Sequence, residues 1–102
     1  MNIQKMMKQA QQAQVQMAKM QDELADETVE SSAGGGMVKA TMSGTQELIS
    51  IKIDPDAVDV DDIELLEDMV VAAVNEASRN AGELANSRMA EITGGLDIPG
   101  LT

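Results

Sequence analysis

Gly34-Gly35-Gly36-Met37-Val38-Lys39-Ala40-Thr41-Met42-Ser43-Gly44-Thr45-Gln46-Glu47-Leu48-Ile49-Ser50-Ile51-Lys52-Ile53-Asp54-Pro55 reads as two strands framed by glycines and a proline. Val38, Ala40 and Met42 alternate with Lys39, Thr41 and Ser43. Past a turn at Gly44, Ile49, Ile51 and Ile53 alternate with Ser50 and Lys52. A period of two marks half-buried strands. We expect a small hairpin with a single buried face, inserted between two long helical segments.

Upstream, Ile3, Met6, Ala10, Ala13, Met17, Met20 and Leu24 recur at alternating steps of three and four, an a/d seam on a helix from about Asn2 to Leu24. The seam is roughly 33 Å long at 1.5 Å per residue, more than one short hairpin can cover. It either packs on its own domain or, in part, meets another helix. Asp22, Glu23, Asp26, Glu27 and Glu30 then crowd the end of a helix that disfavours negative charge, so we expect fraying or termination near Ala25. Thr28 to Ala33 reads as a short polar edge strand, and Gly34-Gly35-Gly36 as the turn out of it.

Downstream, Asp54, Asp56, Asp59, Asp61 and Asp62 resemble a calcium loop only briefly. The position that needs Gly holds Asp59, and the twelfth, which needs Glu, holds Leu65. Asp61 with Glu64 instead makes a capping box for a last helix, from about Asp62 to Ile92, closed by Gly94-Gly95. Leu65, Leu66, Met69, Val70, Val71, Ala72, Ala73 and Val74 are apolar nearly all round, so this half is expected to be buried on several sides. The half from Glu76 to Ala90 is small or polar and is expected to project. Residues 1–95 form the single domain and residues 96–102 a flexible tail.

The composition narrows function. Among 102 residues there is no Phe, Tyr, Trp, Cys or His. Aromatic side chains bury roughly 150–250 Å² each, so their absence leaves a thin core that oligomerisation would complete. We therefore expect an obligate homodimer. Without Cys or His, thiol chemistry, the commonest general base and the usual soft metal ligands are missing, and we expect neither an enzyme nor a cofactor nor a metal site. Neither phosphate-binding glycine loop occurs. No apolar run is long enough to span a bilayer, and the start of the chain leads into a Gln-rich helix rather than a signal core, so a cytoplasmic location is expected.

Net charge is −11, unevenly distributed: residues 1–21 carry +3 with no acid, whereas residues 54–68 carry −8. On a helical wheel Lys5, Lys8, Gln12 and Lys19 fall within roughly 60°, with Gln16 beside them, on a side roughly opposite the seam. Such a face can simply be solvated, but a solubilising face normally mixes signs. An acid-free basic face in so acidic a chain is a candidate phosphate contact. Arg79 and Arg88 lie about 180° apart on the last helix and share no stripe.

The order Met6-Met7-Lys8-Gln9-Ala10-Gln11-Gln12, the hairpin with Ile53-Asp54-Pro55, Leu66-Glu67-Asp68-Met69-Val70-Val71-Ala72-Ala73 with Asn75-Glu76-Ala77, and Pro99-Gly100 resembles the YbaB/EbfC family of bacterial nucleoid-associated proteins. The resemblance covers nearly the whole chain. It implies an α+β, α-β-β-β-α subunit with an antiparallel three-stranded sheet between two long helices. It further implies an intertwined homodimer with projecting helices, and binding of double-stranded DNA with little sequence preference in the nucleoid, affecting DNA conformation and gene expression. The projecting helices would make the contact, which here falls on Lys5, Lys8, Gln12, Lys19, Arg79 and Arg88. Neither a membrane nor a small-molecule substrate is expected as a partner. The rival reading is a non-enzymatic interaction module whose Met-rich seam captures a partner helix.

Overall fold

The computed structural model describes residues 2–95; the expected flexible tail, residues 96–102, lies outside the described residues. The elements are α1 (Ile3–Asp26), β1 (Thr28–Ala33), β2 (Val38–Ser43), β3 (Leu48–Ile53), a 3-10 turn over Pro55–Ala57, and α2 (Ile63–Gly95). The strands form an antiparallel sheet in sequence order. This is the α-β-β-β-α, α+β architecture expected from the sequence.

Local chemistry sets the boundaries. Asn2 Oδ1 accepts the Lys5 N–H at 3.2 Å and caps the start of α1. Gly34, Gly35 and Gly36 all have positive φ, the conformation that residues with a Cβ avoid, and so turn β1 into β2. The β2–β3 connection is a four-residue loop, residues 44–47, in which Gln46 takes the left-handed position at φ 65°. The Ser43 N–H donates to Glu47 O at 2.8 Å across its base. At the other hairpin end, the start of α2 is capped by Asp62, whose Oδ1 accepts the Leu65 N–H at 3.3 Å. The cap therefore falls one residue after the expected Asp61, and because the third position of the helix then holds Leu65, it is a simple cap and not the expected box with Glu64. Asp61 is drawn instead into a tight turn, its N–H donating to Asp59 Oδ1 at 2.9 Å.

The core joins Val38, Ala40 and Met42 of β2 to Ala73, Ala77 and Ala81 of α2, all buried. The three alanines recur every fourth residue and so line one face of the helix. With nothing larger than a methyl group between them, the helix lies close on the sheet, and the buried Ser31 hydroxyl of β1 donates to the Ala73 carbonyl. Both halves of α2 thus enter the core, Ala73 from the apolar half and Ala77 and Ala81 from the half expected to project. The small, polar half packs tightly through Ala77 and Ala81, because small side chains permit close approach. The apolar half keeps Leu65 and Val71 more than half exposed.

A second departure concerns β3. It shares the face of β2, with Val38 opposite Ile53 and Ala40 opposite Ile51, and Ile49 is an extra residue at a register shift. Helix α2, however, packs on β1 and β2. Ile51 is only half-buried, and Ile49 and Ile53 are 54% and 41% exposed. The hairpin's apolar face is covered on one strand and open on the other.

The molecule is elongated, 71 × 25 × 16 Å, with a radius of gyration of 19.7 Å. A compact chain of this length would have about 13 Å. Replacing Ala77 with Leu is expected to lower stability by about 1–3 kcal/mol through overpacking. The check is a lower urea midpoint at fixed protein concentration, and an unchanged midpoint would contradict the close helix–sheet contact.

Candidate nucleic-acid interface

Helix α1 leaves the body at its C-terminal turn. Met20 and Leu24 are buried, whereas Ile3, Met6 and Met17 of the same seam are exposed, so only the last third of the seam is covered within the chain. Attachment runs through the β2–β3 loop. The Gly44 N–H donates to the carbonyls of Leu24 and Glu27, both at 2.9 Å, supplying partners that the end of a helix lacks. This is why α1 reaches Asp26 despite the acids crowding its end. A Cβ at Gly44 would stand 2.7 Å from Leu24 O and 2.8 Å from Leu24 Cδ2, so no larger residue fits there without displacement. The same loop holds α2: Gln46 Nε2 donates to Ser78 O at 2.9 Å.

The last turns of α1 run antiparallel to the far part of α2. Between them lies a cleft lined by Gln16, Lys19, Met20 and Glu23 on one side and Arg88, Glu91 and Ile92 on the other. Arg88 Nη2 donates to Glu27 Oε1, and its Nη1 lies 3.7 Å from Glu91 Oε2. The Glu27 hydrogen bond first, then the charges of Glu27, Glu91 and Glu23, hold the Arg88 pKa above its ordinary value. Arg88 therefore stays charged.

Of the expected site residues, Lys5, Lys8, Gln12 and Lys19 are brought together, all exposed on α1. Lys5 and Lys19 are about 21 Å apart along the axis, the rise of roughly six base pairs. Arg79 is exposed elsewhere on α2, and Arg88 is engaged by carboxylates. The acidic segment sits at the opposite end of the molecule. It precedes α2, and Asp62 is about 39 Å of helix from Arg88, with Lys5 and Lys8 farther out still. A Debye length of about 8 Å screens that belt from the lysines. Among the described residues no acidic cluster is arranged to hold a metal ion, and no helix is long and apolar enough to cross a membrane.

Residues 1–96 match the model of the YbaB/EbfC DNA-binding family. The chain belongs to that family. Its relatives include a nucleoid-associated protein of Thermoanaerobacter pseudethanolicus, 63% identical over 98% of this chain and 90% of that protein. Another, from Moorella thermoacetica, is 54% identical over 97% of this chain and 95% of its own length. The fold recurs in an uncharacterized protein of Helicobacter pylori, with a TM-score of 0.81 and 19% identity, covering 91% of this chain and 98% of that one. YbaB/EbfC is a DNA-binding family, not a family of enzymes.

The positioning groups of the site, Glu27, Gly44, Gln46 and Ser78, escaped the sequence reading. Gly44 was visible only as a turn, and no local pattern links Glu27 to a partner 61 residues away. Gly44→Ala is expected to loosen the last turn of α1. Limited proteolysis between residues 20 and 28 should accelerate by about fivefold or more; an unchanged rate would contradict Gly44 as the attachment point.

Proposed function

We propose that the chain is a homodimeric nucleoid-associated protein that binds double-stranded DNA with little sequence preference through the lysine face of α1. The observation that carries this reading is the exposed basic face of Lys5, Lys8, Gln12 and Lys19, in a stretch without acids as far as Gln21; of the three lysines Lys19 alone lines the cleft with Glu23 and Glu91, and Lys5 and Lys8 project beyond it. Lysines make point-charge contacts with phosphates, which position a protein on a duplex without reading bases. Gln12 and Gln16 add hydrogen bonds to the backbone or to base edges. Arg79 adds an outer contact, whereas Arg88 must first leave its carboxylates. Binding is weak and confined to the projecting part of α1, the location is the cytoplasmic nucleoid, and the consequences are changes in DNA conformation and gene expression.

Pairing of two copies is supported by what one copy leaves open. β3 is an edge strand with exposed Ile49 and Ile53, and α2 exposes Leu65 and Val71. Apolar edges of this kind seek a partner. The uncovered Ile3, Met6 and Met17 also favour capture of a partner helix, and a second copy supplies one.

Two outcomes are expected. Changing Lys5, Lys8 and Lys19 together to Gln should abolish the mobility shift of duplex DNA while leaving helix content unchanged. In the parent, six phosphate contacts per dimer limit the log–log salt slope to at most roughly −5. Undiminished binding by the triple variant would mean that the face is merely solvated. Sedimentation of the parent should give a dimer whose melting temperature rises with concentration; a cooperatively folded monomer at low micromolar concentration would refute the assembly.

A further inference from the structure

Arg88 looks at first like a fourth cation for phosphate, and the structure puts it to another use. Its guanidinium is surrounded by carboxylates: it donates to Glu27, lies 3.7 Å from Glu91, and feels the charge of Glu23 across the cleft. Glu27 is the residue that ends α1, where a negative charge opposes the helix dipole. Its second oxygen, Oε2, is buried with no partner among the described residues. Arg88 is therefore the one donor this partly exposed carboxylate has among the described residues, and removing the cation leaves both of its oxygens without a partner.

The same turn is held a second time through its backbone by Gly44. Two fixed points, one backbone and one side chain, define a direction as well as a position. The consequence grows with distance: Lys5 lies about 33 Å of helix beyond Glu27, so a swing of about 10° at the clamp would move it by roughly 6 Å. That displacement is enough to take a lysine from one phosphate to the space between two.

We propose that Arg88 and Glu27 form a clamp that sets the direction of the lysine-bearing arm, so that Arg88 is a positioning residue and not a phosphate ligand. This rests on the lysine-face reading of DNA contact. The two roles predict opposite signs for one variant. Glu27→Gln removes an acid close to the arm. If Arg88 binds phosphate, that change frees the cation and tightens DNA binding. If the pair is a clamp, the same change weakens binding although the chain becomes less negative.

The experiment measures duplex binding by mobility shift across a salt series for the parent, Glu27→Gln, Arg88→Met and Glu91→Gln. All are held well below their melting temperatures with helix content verified. The clamp predicts an affinity loss of about tenfold for Glu27→Gln and for Arg88→Met, since a loosened support misplaces the contact groups it carries. The salt slope should keep the parent's value in both variants, and Glu91→Gln should bind at least as well as the parent. Tighter binding by Glu27→Gln, or a slope shallower by about two for Arg88→Met, would overturn the proposal and make Arg88 a phosphate contact in each subunit. If the parent itself shifts no duplex, it is the lysine-face reading that fails. The clamp is then judged by hydrogen exchange at the Gly44 amide, which should speed up by about tenfold in Glu27→Gln and Arg88→Met. An unchanged Gly44 amide would dismiss it.

Discussion

The close approach of α2 to β1 and β2 is the constraint on which the rest of the molecule depends. A chain without aromatic residues cannot fill a wide gap between helix and sheet, and this one closes the gap instead. Ala73, Ala77 and Ala81 present only methyl groups to Val38, Ala40 and Met42, and all six are buried. The contact also uses backbone polarity, since the Ser31 hydroxyl satisfies the Ala73 carbonyl where a larger apolar residue would hold the helix away. The cost is coverage. A helix set down over two strands leaves the third uncovered, and the isoleucines of β3 remain on the surface of a single copy. A thin core and an open apolar edge are two results of the same composition.

From that body, α1 is carried outward on a narrow base. One glycine amide binds two carbonyls of its last turn, and Gln46 ties the same loop to the middle of α2. The β2–β3 loop therefore fixes both helices at once. Gln46 accepts a left-handed backbone to do so, a conformation usually left to glycine, and its side chain gains the bond to Ser78 in exchange. Beyond this base the helix carries its lysines along the long axis, away from the acids ahead of α2. A net charge of −11 would repel a polyanion if it were spread evenly. Separated over tens of ångströms and screened by salt, the acidic end has little influence on what the basic end meets.

The fold was largely legible in the sequence because its elements have strong periods. The alternation through Val38–Met42 and Ile49–Ile53, and the heptad spacing from Ile3 to Leu24, located the hairpin and the first helix, whose end, expected near Ala25, falls at Asp26. What holds that end, the Gly44 amide, is distant in sequence and left no local signal. Burial on α2 departs from the expectation in the second half of the helix. At a close contact the size of the side chain decides, so Ala77 and Ala81 enter the core while Leu65 and Val71 stay open on a single copy. The candidate site was legible as a charge pattern, since an acid-free stretch is a property of composition. Arg88 was not separable from the lysines, because only three-dimensional proximity to Glu27, Glu91 and Glu23 distinguishes a bound cation from a free one.

The central claim is that DNA meets the exposed part of α1 and avoids the acidic segment at the other end. Backbone amide NMR of the whole protein, titrated with a short duplex at low salt, tests it most directly. The account predicts shifts concentrated between residues 5 and 19, with the amides of residues 54–68 unmoved. Shifts centred on residues 54–68 or on the open face of β3, with α1 unchanged, would contradict it.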